Sequence, residues 1–243
     1  MPGSLDVALV VLFAAVWPLI DYFWIWPRHV RAVAAGVPGA RSTAYTRMMI
    51  EEWTLTVAVV ALTVWFARPL ATLGIRSPQG WRLWLGLLLP AAYVALILQQ
   101  SRALAGSETA QARLRTKLEP LRALIPHTPA EFRLFVPLSV TAGVCEELLF
   151  RGYLVWVLQT WIGLWPAAGV SMVLFGLAHA YQGGFGLRAF FAGVFLGLFA
   201  LATGSIVPGM ALHALVDLGS AWITYSALRS EGGAPQPNVA GAA

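Results

Sequence analysis

Three short stretches of the chain hold residue types that can move protons. Residues 146–151 read E-E-L-L-F-R, 175–179 read F-G-L-A-H, and 213–217 read H-A-L-V-D. On a helix, residues four apart lie on one face. Glu147 and Arg151 are therefore spaced for an intrahelical ion pair, with the acid on the favoured N-terminal side. Arginine keeps its proton in proteins, so Arg151 needs a partner wherever it is taken out of water, and Glu147 is the nearest one. Glu146 projects about 100° away on the same turn, has no intrahelical cation, and is left free to act as a general base. His213 and Asp217 share a face and can act on one target. Phe175 shares a face with His179 and can pack beside its ring.

Each group also has a plainer reading. Glu147 with Arg151 can be a buried pair that only fixes packing, and a histidine between helices can be only a hydrogen-bond donor. Two histidines, three acids and an arginine on three segments are harder to explain that way, and they point to a catalytic or metal site. Asp21 reads as a lone snorkelling or capping residue, and Glu51 with Glu52 as a solvated helix end. His29 and His127 read as surface loop residues. Cys145 reads as a small buried hydrophobe rather than a nucleophile, and as the single cysteine it excludes an internal disulfide and a cysteine-rich zinc cluster.

The elements that must position these residues are set by composition. Of 243 residues, 58% are apolar and 11% charged, against about 25% charged in soluble domains. With a mean hydropathy of +0.71, this argues against a soluble enzyme, a disordered tail or a nucleic-acid-binding module, and no nucleic-acid partner is expected. Residues 152–187 and 189–216 contain no Asp, Glu, Lys or Arg. A spanning helix needs about 20 mostly apolar residues, so the expectation is an all-α, polytopic bundle of seven helices (six to eight). The spans fall near 5–26, 48–67, 82–100, 132–158, 163–180, 187–203 and 206–228. Trp24, Trp26, Trp53, Trp65, Trp81, Trp84, Trp161 and Trp165 then fall near span ends as interface anchors.

Twelve of the sixteen Lys and Arg residues lie on one side of that arrangement, and only Arg68, Arg76 and Arg82 on the other. The positive-inside tendency places the N-terminus outside and the C-terminus in the cytoplasm. The first segment lacks a basic start and a small-residue cleavage pattern, and reads as a retained helix. Ser107 to Leu124 reads as an amphipathic surface helix. The chain is expected to divide into N-terminal helices with a cytoplasmic loop (1–131), a helix core bearing the three motifs (132–228) and a Gly/Pro/Ala-rich tail (229–243), expected to be disordered.

Taken in order, the three motifs resemble the CPBP family, the CAAX-protease and bacteriocin-processing (Abi) group of intramembrane endopeptidases. Its pattern is E-E-x-x-x-R, F-x-x-x-H and H-x-x-x-N or H-x-x-x-D on separate transmembrane helices. The resemblance covers roughly residues 132–228 and implies peptide-bond hydrolysis within the bilayer, on a membrane-associated protein or peptide. Carried over, Glu146 with His179 would activate a water. Glu147 and Arg151 would hold the site, and His213 with Asp217 would stabilise the oxyanion or orient the water. Asp217 stands where the eukaryotic prenyl-protein members have asparagine, and an ionised aspartate only accepts hydrogen bonds.

The family has been described both as metalloprotease and as metal-free glutamate protease. Glu146, His179, His213 and Asp217 could form a two-His, two-carboxylate zinc set, whereas the lack of an H-E-x-x-H helix favours the metal-free form. Other intramembrane protease types fit less well: Ser171 and Ser205 lack a G-x-S-G frame, and Gly184–Phe185–Gly186 is followed by Leu187 rather than aspartate. The reading from another class is a non-catalytic scaffold or binding protein that keeps the polar cluster. An inner or plasma membrane address is expected.

Overall fold

The computed structural model describes residues 1–229, which are mostly helical with no strand among them. The tail expected beyond that point lies outside the described residues. Eight helices follow one another: α1 (Ser4–Ala34), α2 (Ala40–Trp65), α3 (Trp81–Ala105), α4 (Glu108–Leu118), α5 (129–162), α6 (Leu164–Ala178), α7 (Gly186–Thr203) and α8 (Val207–Arg229). Seven are bundle helices at the expected places, and α4 is the short surface helix.

The boundaries differ where proline or capping chemistry decides. α1 runs on to Ala34 rather than stopping near 26, although it contains Pro18 and Pro27. A proline lacks its N–H and clashes with the carbonyl one turn back. Wide π turns at Leu12–Val16 and Asp21–Ile25 end just before the two prolines and absorb that clash. α2 begins at Ala40, eight residues before the expected start. α4 is capped by the Ser107 hydroxyl, which accepts from Ala110 N at 3.2 Å. It ends at Leu118 and not at Leu124 because Pro120 follows, in a 3-10 turn. α5 opens on a reciprocal cap, Thr128 Oγ1 with Glu131 N and Glu131 Oε2 with Thr128 N.

Four helices, α1, α2, α3 and residues 180–203, are long and apolar enough to cross a membrane by length and composition. α5 and α8 fall short because they carry the acids, bases and imidazoles of the three motifs. α6, at 15 residues, is shorter than a span.

The helices alternate between two faces. At one, Arg68 donates to both carboxylate oxygens of Asp6 at 2.7 and 2.9 Å, Tyr153 donates to Asp6 Oδ1 at 2.7 Å, and Ile206 N donates to Gly74 O at 3.0 Å. Exposed Trp65, Trp81, Trp84, Trp161 and Trp165 stand at helix ends on this face, as interface anchors do. Trp53 does not: it lies mid-helix and donates to Thr141 Oγ1 at 3.0 Å, tying α2 to α5. At the opposite face, residues 122–124 are held by His29 Nε2 to Ala123 O (2.9 Å), by Arg41 to Arg122 O and by Tyr45 OH to Leu124 O. His29 is therefore a buried helix residue and not a surface loop residue. His127 is in a loop as expected, yet its Nε2 is enclosed without a partner. Burial first, and then Arg41, hold its imidazole below the ordinary pKa.

The tightest crossing is α5 on α8. A Cβ on Gly143 would lie 2.7 Å from Ala214 N and from Met210 O, which are backbone atoms that cannot swing aside. Gly143→Val is expected to destabilise by about 2 kcal/mol or more through overpacking, seen as a lower thermal midpoint in detergent. Gly169→Ala, in open space on α6, is the control expected to leave the midpoint unchanged.

Candidate active site

The first part of α5 ends at Glu146, and a wide π-helical stretch, Glu147–Leu154, carries the rest of the first motif. Stretches of this kind recur at functional sites. Here it lies wholly inside the bundle, with all eight residues buried.

Within it, Arg151 Nη1 and Glu147 Oε1 form the expected pair at 3.0 Å, with side-chain exposures of 3% and 0%. At this burial each charge depends on the other. Arg151 Nη2 also donates to Gly193 O on α7 at 2.9 Å, and its guanidinium lies 4.0 Å from the centroid of the Phe175 ring. Gly193 allows that approach, since a Cβ there would meet Phe175 at 2.5 Å. Glu147 Oε1 has a second contact, accepting from His213 Nδ1 of α8 at 3.0 Å. A carboxylate oxygen only accepts, so Nδ1 carries the hydrogen and His213 Nε2 is turned the other way.

His213 Nε2 faces Glu146 Oε2 at 3.7 Å and Asp217 Oδ2 at 3.9 Å. His179 ends α6, donates from Nδ1 to Phe175 O at 2.8 Å, and stacks on the Phe175 ring at 4.4 Å. Its Nε2 thereby points to Glu146 Oε2, 3.9 Å away. Glu146 Oε2 is buried and has no hydrogen-bond partner. The fold thus brings all the sequence-selected residues together: Glu146, His179, His213 and Asp217 converge on one point. Glu147, Arg151 and Phe175 form the layer behind it. Cys145, fully buried beside them, is the hydrophobe expected.

The zinc set suggested by the sequence has suitable donors, N and O. Tetrahedral bonds of about 2.0–2.1 Å place donors roughly 3.3 Å apart, closer than the 3.7–3.9 Å found here. No group of three or more candidate ligands converges to hold a metal among the described residues. As placed, these side chains do not fit a closed zinc cage.

Two sequence readings on α1 and α2 are corrected. Asp21 is not alone, since Arg47 Nη1 reaches it at 3.5 Å and Glu51 at 3.7 Å. Glu51 and Glu52 are not a solvated helix end, because α2 extends twelve residues before Glu52. Glu52 Oε2 is buried without a partner, and its strongest electrostatic neighbours are Glu146 and Asp217. Glu52 is the buried carboxyl group that sequence reasoning gave to solvent. The signal lay in the start of the helix: beginning α2 at Ala40 places Glu52 at mid-span, one turn before Thr56.

Residues 128–219 match the Rce1-like family model, type II CAAX prenyl endopeptidase. The Rce1-like segment begins at the Thr128 cap of α5 and ends two residues past Asp217, so it contains every residue of the three motifs. It bears out the resemblance drawn from them and supports protease activity of the CAAX/CPBP kind in general. With the apolar helices, it supports an integral, multi-pass membrane protein. The match covers less than half of the chain, and α1 to α4 lie outside it. No curated protein and no solved structure matches the chain.

Removing one member of a buried pair leaves the other uncompensated and costs about 3–5 kcal/mol. Arg151→Leu is therefore expected to lower the unfolding midpoint far more than Arg122→Leu, whose ion pair with Glu119 is exposed. Denaturant unfolding of the two variants in matched micelles measures the difference.

Proposed function

We propose that the chain is an intramembrane endopeptidase that hydrolyses a peptide bond of a membrane-associated protein or peptide, with a water activated by Glu146 and His179. One observation carries this reading. Glu146 Oε2 is a buried acceptor with no hydrogen-bond partner, facing the Nε2 atoms of two histidines whose other nitrogens are already committed. A cluster kept only for packing would satisfy its buried polar atoms, and here Glu146 Oε2 at the point of convergence, with Glu147 Oε2 and Arg151 Nε behind it, is left without a hydrogen-bond partner.

The chemistry follows from the geometry. Polar atoms 3.7–3.9 Å apart can share one water at roughly 2.8 Å from each. Glu146 takes a proton from that water as its oxygen bonds to the scissile carbonyl carbon. The oxyanion so formed receives a hydrogen bond from His213 Nε2–H when that ring is an imidazolium, and Glu147 holds the ring in place through Nδ1. Collapse of the intermediate breaks the C–N bond, and Glu146 returns the proton to the leaving nitrogen. His179 relays or orients on the other side of Glu146. Asp217 accepts from His213 or orients it, as an aspartate rather than an asparagine must. No step needs a metal.

The family description names prenyl substrates, so a farnesylated C-terminal peptide is the first to offer, followed by membrane-anchored leader or regulator peptides. The face bearing twelve basic residues, cytoplasmic by the positive-inside tendency, is the side from which an inner- or plasma-membrane substrate would enter.

The test is turnover in lipid nanodiscs, with new protein termini mapped in membranes of cells expressing each variant at matched levels. Glu146→Gln is expected to lower kcat by about 10²–10⁴-fold, the usual weight of a general base. If wild type and Glu146→Gln produce the same termini, the chain is a scaffold or binding protein. A metal chelator is expected to leave turnover unchanged; loss of activity restored by zinc would replace the metal-free mechanism with a metal-dependent one.

A further inference from the structure

We infer that the cavity bounded by Arg151 is a binding site for a small aliphatic carboxylate, roughly six to eight carbons long. The ligand enters from the face that bears Asp6 and Arg68. The inference stands apart from the hydrolase reading, since Glu146, His179, His213 and Asp217 all lie outside the walls of this cavity.

Three helices and a turn enclose it. Arg151, Val155 and Gln159 line it along one stripe of α5, Ala168 and Met172 from α6, and Ala200 from α7. The turn at 71–76 and residues 204–206 form the rim. Arg151 and Gln159 lie eight residues apart, so the cavity runs about 10–12 Å along α5, at about 1.5 Å per residue. Its volume is about 240 Å³. At roughly 30 Å³ of liquid per water, that is room for about eight waters or for a ligand of roughly eight to ten non-hydrogen atoms.

The polar groups select the head of that ligand. Ser171, Ser205 and Thr72 each spend their hydroxyl hydrogen on a backbone carbonyl, at 2.7, 2.6 and 2.7 Å. Arg151 Nη1 and Nη2 are committed to Glu147 and to Gly193 O. Arg151 Nε is buried without a hydrogen-bond partner, so it is the nitrogen this side chain has left to offer. A buried donor calls for an acceptor. Among the described residues no Asp or Glu lines the cavity, so the acceptor has to be brought in. Arg76 stands exposed on the rim. Arg82 packs against Gly204 of the same rim, where a Cβ would meet its Nη1 at 2.9 Å. Cations at the entrance, with no acid in the lining, draw in an anion. A carboxylate takes a charge-assisted hydrogen bond from Nε, whereas a phosphate dianion would ask for several donors where the floor gives one. The aliphatic chain then lies against Val155, Ala168, Met172 and Leu201 in place of water.

The test is equilibrium dialysis of radiolabelled octanoate against the chain in lipid nanodiscs, with the uptake of empty nanodiscs subtracted. Saturable binding of one octanoate per chain is expected. Octylamine is expected not to displace it. Octanol is expected to do so only at about tenfold or higher concentration, because a neutral oxygen accepts more weakly than an ionised one. Palmitate is too long for the cavity and is expected not to compete. Ala168→Leu and Ala200→Leu fill the space from two walls, and each is expected to weaken binding about tenfold. Glu146→Gln is expected to bind octanoate as wild type does.

The inference is overturned if no saturable binding exceeds that of empty nanodiscs, in which case water alone meets Arg151. It is overturned if octylamine or octanol competes as well as octanoate itself. Displacement by palmitate at equal or lower concentration overturns it in favour of a bilayer lipid. Wild-type affinity in both filled variants, at wild-type thermal midpoints, puts the site elsewhere, and so does loss of binding in Glu146→Gln. Should one filled variant fail to fold, the other decides; should both fail, the competition by octylamine, octanol and palmitate decides. Turnover by Glu146→Gln tests the hydrolase reading separately, so the two can fail independently.

Discussion

Burying Arg151 is the constraint on which the rest of the centre depends. A guanidinium cannot shed its charge to suit an apolar environment, so the structure has to answer it with nearby groups. Glu147 meets it along its own helix at 3.0 Å, the Gly193 carbonyl meets it from α7 at 2.9 Å, and the face of Phe175 covers it from α6. Those three contacts fix three helices around one cation. Glu147 then passes the arrangement to a fourth by accepting from His213 of α8. The orientation of both imidazoles follows: one ring is set by the acid that answers Arg151, and the other stacks on the ring that covers it.

Polarity and membrane insertion are in tension along this chain, and the tension is resolved by division of labour. The helices that satisfy the bilayer most simply, α1 to α3 and residues 180–203, pack against the ones that do not. α5 and α8 give up hydropathy to carry the cluster and are compensated by close backbone approach at Gly143. Far from the cluster, Asp6 is fully buried among Arg68, Tyr153 and the Gly3 N–H. Arg68 lies over both Phe66 and Trp156 at 4.7 Å. That second buried ion pair ties the start of α1 to the end of α5, at the opposite end of the bundle from the loop held by His29, Arg41 and Tyr45.

What could be read from the sequence was whatever is local to one turn of helix. The Glu147–Arg151 pair, the separate direction of Glu146 and the stacking of Phe175 with His179 all follow from a four-residue spacing. The convergence of α5, α6 and α8 does not, and it came from the resemblance, which the match to residues 128–219 bears out. The failures share a cause, which is misplaced helix boundaries. A span ending near 26 leaves His29 in a loop, whereas α1 continues to Ala34 and carries it. Arg41 and Arg47 suggested a late start to α2, so Glu52 was assigned to water when it lies in the middle of the helix. A hydropathy profile locates the greasy part of a helix, whereas caps and pairs such as Asp21 with Arg47 decide how far the helix continues.

The length of α6 has a consequence for the bilayer itself. Fifteen residues at about 1.5 Å each give roughly 22 Å, against a hydrocarbon core of about 30 Å. The non-helical Gly183 in the turn that follows, at φ +60°, marks a backbone that has left the helix before the membrane ends. Lipid beside α6 must therefore thin, or tilt its headgroups inward, to keep the polar turn at 180–185 hydrated, at a cost of fractions of a kcal/mol per Å. Bilayer thickness thus becomes a physical variable that sets how deep headgroups and water reach toward the cluster.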